Sequence, residues 1–171
     1  AFSFVWDPTL KYFCSDRNSI LKNGTPDYIV LSSGLHQGKE NFDAETWEKC
    51  ITEMAEWVTV NGLTDRFLFV TSPRIVDHNL PSSGEYSNYN NVAVSKYTEA
   101  ATVVMRKHGH NIYDGLAFSR TVPDSAVPDG RHMDEASFLA LSHAVLDELQ
   151  LPFVKAIPTP VFSQLEAPLP D

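Results

Sequence analysis

Pro26-Asp27-Tyr28-Ile29-Val30-Leu31-Ser32-Ser33-Gly34-Leu35-His36-Gln37 carries a short apolar run straight into a Ser-Gly-x-His turn. A continuous apolar run of this length, closed by turn residues at both ends, reads as a strand buried on both faces. Three more stretches have the same character: Phe2 to Trp6, stopped by Asp7-Pro8; Phe67 to Val70, ended by Ser72-Pro73; and Asn111 to Tyr113, ended by Asp114-Gly115. Helical patterns lie between and after them. Asp43 can cap a helix to about Val60, closed by Asn61-Gly62, with Trp47, Cys50, Ile51, Met54, Trp57 and Val58 on one face. A second runs from Asn91 to His108, with Ala93, Tyr97, Ala100, Ala101, Val104 and Met105 inward and Gly109 as its stop. The last runs from about Glu135 to Leu149, with Phe138, Leu141, Val145 and Leu149 on one face and Asp134 or Ser137 as its cap. Strand and helix alternating in this order predict an α/β three-layer sandwich with a mainly parallel sheet and right-handed crossovers. Ligands of such sheets bind beyond the carboxyl ends of the strands, where the turns at Ser32–Gln37, Ser72–His78 and Pro128–His132 fall.

The bulk properties narrow the function classes. At 171 residues, 43% hydrophobic and 20% charged, the chain suits one globular domain with its own core. We place that domain at 1–151, with a proline-rich extended arm at 152–171. A net charge of −9 repels phosphate backbones, so no nucleic acid partner is expected. No apolar run approaches the ~20 residues of a membrane span. The two cysteines are Cys14 and Cys50. Because Cys50 falls on an apolar helix face, two buried thiols are favoured over a disulfide. The triplet Asn23-Gly24-Thr25 leans toward a secretory route.

Two motifs can carry chemistry. Pro128-Asp129-Gly130-Arg131-His132 sets an Asp three residues before a His, on a Gly turn that precedes the last helix. Such an Asp can accept from the imidazole Nδ1, leaving Nε2 free as a base. The plainer alternative is a polar capping turn. In Ser33-Gly34-Leu35-His36, a sharp turn at the sheet edge offers backbone N–H groups and a His that can stabilise an oxyanion; the plainer alternative is a solvated loop. Other groups read as structural. His108 and His110 flank Gly109 as helix-end caps, His143 is partly exposed mid-helix, Asp77-His78 is a loop pair that could line a site mouth, and Trp47 and Trp57 are core residues. No His, Cys or carboxylate set has metal-ligand spacing, and no phosphate or dinucleotide loop is present, so neither metal nor cofactor is expected.

In this order the two motifs resemble the SGNH/GDSL-type hydrolase superfamily. The nearest branch is the PC-esterase group, with its trichome-birefringence-like and sialic-acid O-acetyltransferase-like domains. Tyr89-Asn90-Asn91-Val92 and Tyr113-Asp114-Gly115 also look like that group, and the likeness spans roughly Tyr28 to Leu149. It implies a flavodoxin-like sheet, with His132 as base, Asp129 as its orienter, and Ser33, Gly34 and His36 on the oxyanion or substrate side. The family's nucleophile is a Ser in a Gly-Asp-Ser block on the first strand's exit, and this sequence has no Gly-Asp-Ser. Ser15 and Ser19 stand too close to Gly34 for a strand and helix to fit between. Gln37 occupies a position that is often acidic in relatives. Phe2 to Trp6 resembles the family's second strand, so the first strand and helix are expected to be missing from this chain. Two readings follow. The chain is the C-terminal part of an ester hydrolase or O-acyltransferase for a carbohydrate-like or lipid ester, with the Ser supplied by a second polypeptide. Alternatively, it is a catalytically inactive SGNH-like binding or structural subunit. Either way, an uncovered sheet edge around Phe2, Phe4, Tyr12 and Phe13 predicts a partner chain rather than an independent monomer.

Overall fold

The computed structural model describes residues 14, 16–21, 24–36, 43–84, 87 and 89–150. The expected strand at Phe2 to Trp6, the edge residues Phe4, Tyr12 and Phe13, and the arm 152–171 lie outside the described residues.

Three strands form one parallel sheet in the order β1 (Ile29–Ser32), β2 (Phe67–Val70), β3 (Asn111–Tyr113). Leu31 stands opposite Phe69, and Phe69 opposite Ile112. Helix α1 (Ala44–Val60) links β1 to β2, and α2 (Asn91–Lys107) links β2 to β3. A short helix α3 (Gly115–Thr121) follows β3, and α4 (Glu135–Glu148) ends the described fold. β2 is central and buried on both faces, which is why its four residues are all apolar. Successive strand side chains point to opposite faces. Phe67 and Phe69 accordingly join Leu31 under α1 and α2, while Leu68 and Val70 meet Val145 of α4. Helices on both faces of a parallel sheet make the expected three-layer α/β sandwich.

The helix starts follow cap chemistry. Asp43 Oδ1 accepts from Thr46 N at 3.1 Å, Asn90 Oδ1 from Ala93 N at 2.8 Å, and Asp114 Oδ1 from Ala117 N at 2.8 Å. At α4 the cap is Asp134, whose Oδ1 accepts from Ser137 N at 2.8 Å. A glycine opens α3 for a steric reason, since a Cβ on Gly115 would lie 2.3 Å from the Thr71 carbonyl oxygen.

Several expectations change. The strand expected from Tyr28 starts at Ile29. α3 escaped the sequence reading because seven residues are too few to show a helical period. Cys14 and Cys50 form a disulfide with a Cα–Cα separation of 5.5 Å. Burial of Cys50 did not exclude pairing, because Cys14 packs against the same α1 core. His110 is no exposed cap: it is buried, and its Nε2 donates to the Ala55 carbonyl at 2.9 Å, tying the turn after α2 to α1. Trp57 is half-buried, its Nε1 donating to Asn18 Oδ1 at 3.1 Å. Phe138 is 62% exposed rather than inward, because the α4 face offers only the alternate residues of β2 and β3 to pack on.

Candidate active site

The sheet delivers both motifs to its carboxyl edge. β1 exits into Ser33 and Gly34, both buried. Ser33 Oγ accepts from Trp47 Nε1 at 3.3 Å, and the Ser33 carbonyl accepts from Ser72 Oγ at 3.0 Å. Gly34 has φ 123°, and a Cβ there would lie 2.8 Å from Ser72 Oγ, so only glycine fits against the loop leaving β2. His36 follows, half-buried, with its Nδ1 3.4 Å from the hydroxyl of buried Tyr89.

The second motif is laced to the same β2 exit loop. The Gly130 carbonyl accepts from Val76 N at 2.9 Å. Gly130 has φ 77°, and a Cβ would meet Leu80 and the Val76 carbonyl at 2.9 Å. Asn79 Nδ2 donates to the Val127 and Asp124 carbonyls, each at 2.9 Å. Asn91 brackets the Ile75 backbone, accepting from its N at 2.7 Å and donating to its O at 2.8 Å. Arg74 reaches across to the Ser119 and Val122 carbonyls and to Asp124. One loop thus holds Ser33 through Ser72 and Gly130 through Val76.

Within the Asp-x-x-His turn, Asp129 Oδ1 accepts from the backbone N–H of His132 at 2.7 Å and of Arg131 at 2.9 Å. Asp129 Oδ2 lies 2.6 Å from His132 Nδ1. Partial burial pushes the Asp129 carboxyl up, but the His132 backbone and side-chain donors and the Arg131 N–H outweigh it, holding the group at about 2. Asp129 is therefore a carboxylate at neutral pH. A carboxylate at Nδ1 keeps the proton there and leaves Nε2 as the basic nitrogen. The His132 side chain is half-exposed, open to a reactant.

The structure thus gathers Ser33, Gly34 and His36 on one side of the β2 exit loop and Asp129 and His132 on the other. Asp77-His78 stays a loop pair: Asp77 accepts from Asn91 Nδ2 at 3.4 Å, and exposed His78 faces Asp124 at 3.3 Å. Among the described residues, no three His, Cys, Asp or Glu side chains are placed to hold a metal ion. No described helix is long and apolar enough to cross a membrane. Sequence reasoning left Ser72, Tyr89, Asn91 and Arg131 without roles. Tyr89 and Asn91 lay in a quoted motif, and Arg131 sat inside the Asp-x-x-His turn, but only their long-range partners reveal what they do.

No family model and no curated protein matches the sequence. Solved structures do match. A lipase/acylhydrolase from Enterococcus faecalis superposes with a TM-score of 0.60 at 15% identity, covering 84% of this chain and 74% of that one. An acetylxylan esterase from Geobacillus stearothermophilus gives 0.64 at 13% identity, covering 86% and 70%. A peptidoglycan O-acetylesterase gives 0.54 at 16% identity, covering 80% of this chain and 41% of that one. The α/β architecture built around this sheet edge is the fold of SGNH/GDSL-type lipases, acylhydrolases and acetylesterases.

Proposed function

We propose that this chain is the Asp–His portion of an SGNH-type ester hydrolase or O-acyltransferase, nearest to the PC-esterase group, acting on a carbohydrate-like or lipid ester. The observation that carries the reading is the Asp129–His132 pair on a Gly turn, laced to the loop that also positions Gly34 and His36. In this reaction His132 Nε2 takes the proton from a serine hydroxyl as its oxygen attacks the ester carbonyl. Asp129 holds the imidazolium that results, and the Gly34 N–H with His36 faces the developing oxyanion. His132 returns the proton to the leaving alcohol. Water or an acceptor hydroxyl then releases the acyl group. Carbohydrate-borne acetyl esters are favoured by the names of two fold neighbours, an acetylxylan esterase and a peptidoglycan O-acetylesterase. The disulfide fits an oxidising, secretory compartment.

The serine nucleophile comes from a second polypeptide. This sequence has no Gly-Asp-Ser, and among the described residues β1 pairs only with β2, with Val30 49% and Tyr28 42% exposed. The absent nucleophile equally supports the other reading, an inactive binding or structural subunit. Isolation of the native protein separates the two. The enzyme reading expects a co-purifying chain, labelling of that chain by a serine-directed fluorophosphonate, and acetyl-ester hydrolysis by the complex but not by this chain alone. A native monomer inert to probe and ester would leave the subunit reading.

A further inference from the structure

The Arg131 side chain is 9% exposed, a costly placement for a guanidinium unless its partners are fixed. Two partners are visible. Nη2 lies 3.5 Å from Asp129 Oδ2, the oxygen that also meets His132 Nδ1 at 2.6 Å. On its other side, Cζ lies 5.3 Å from the centre of the Tyr89 ring. Tyr89 is 3% exposed, and its hydroxyl reaches His36 Nδ1 at 3.4 Å. One buried cation therefore stands between the two imidazoles of the proposed site.

We propose that Arg131 is a positioning residue that sets both imidazoles, His132 through Asp129 and His36 through Tyr89. The inference rests on the ester-transfer reading, which gives those imidazoles their roles. A guanidinium stays charged at any working pH and is planar, so it can hold a carboxylate on its edge and an aromatic ring on its face. On the Asp129 side it anchors the oxygen that orients His132. On the Tyr89 side it draws density from the ring and makes the hydroxyl a stronger donor. A Tyr89 hydroxyl donating to Nδ1 places the His36 proton on Nε2. That leaves Nε2–H as the donor for an oxyanion. The oxyanion donor and the general base are then set by one residue.

The test is the ring-nitrogen spectrum of the two histidines in the uniformly 15N-labelled full chain, which reads proton position directly. The native protein should show His36 protonated on Nε2 and His132 on Nδ1. Arg131→Gln should shift the signals of both rings. In a Tyr89→Phe background, Arg131→Gln should still shift His132 but leave His36 unmoved. A native His36 protonated on Nδ1, a His36 unmoved by Arg131→Gln, or an equal shift with and without Tyr89→Phe overturns the proposal. If Arg131→Gln does not fold, Arg131→Lys carries the test. It keeps the charge but lacks the planar face, so a smaller His36 shift is expected, and no shift overturns the proposal. Ester turnover does not enter this readout. Coupled histidines in a complex that cleaves no ester would remove the proposed function and leave the coupling standing.

Discussion

The two faces of the sheet are built differently. Under α1 and α2, Leu31, Phe67 and Phe69 interlock with Trp47, Ile51, Met54, Val58, Ala101 and Met105, all buried, with a disulfide at the margin. Under α4 the buried set is Leu68, Val70 and Val145, while Phe138 and Leu139 are 62% and 48% exposed. The Asp129–His132 turn leads into that thinly anchored helix. It is held by polar lacing instead, including Val76 N to the Gly130 carbonyl and Asp134 N to the Ala126 carbonyl at 2.7 Å. The contrast separates duties. Apolar burial, worth about 25 cal/mol per Å², concentrates on one face. The groups that must meet a substrate sit at the edge of the other, where directional hydrogen bonds fix geometry without closing the surface.

The largest expected effect belongs to the thin face and is one of chemistry. Asp129→Asn in the complete complex should lower kcat for acetyl-ester hydrolysis by roughly 10⁴-fold, because an amide no longer fixes the Nδ1–H tautomer of His132. A loss under tenfold would remove Asp129 from the proposed mechanism. Stability should break on the other face. Phe69→Ala, at a fully buried position, should cost about 3–5 kcal/mol in urea unfolding.

Acid should distinguish the faces next. Burial, the largest influence on His110, lowers its pKa despite the bond to Ala55, so the unfolded chain binds the proton more readily. The stability from neutral His110 is complete above its ordinary value of 6.5 and is lost as the pH falls below it. The Asp129 contribution is present above 3.8 and is lost as the pH falls toward about 2. Urea midpoints measured from pH 7 to 3 should therefore start to fall near 6.5 in the native chain. His110→Gln should flatten that first decline, and an unchanged decline would contradict the assignment. The smallest effect is expected at Phe138→Ala, within about 0.5 kcal/mol, since that ring is mostly in solvent. A cost above 2 kcal/mol would show that something covers the α4 face in solution, which is what the second-polypeptide reading requires of an uncovered surface.

The sequence by itself determined the element order, the parallel α/β class and most helix limits. These depend on local rules: apolar runs for buried strands, helical spacing for α1 and α2, and Asp or Asn caps. β2 and β3 begin and end where their apolar runs do, and α1 stops at Asn61-Gly62 as its turn chemistry dictates. The Asp129–His132 contact was legible for the same reason, since three residues on a Gly turn leave little freedom. What only the tertiary structure decided involves partners far apart in the chain. Cys14 with Cys50, His110 with Ala55, Ser72 with Ser33, and Tyr89 with His36 and Arg131 are set by how layers stack, not by neighbours in sequence. Spacing can show that a His and an Asp are able to meet on one turn. Only packing can bring a second His, a Tyr and a buried Arg to the same edge, because their approach is fixed by the sheet and the loop between them.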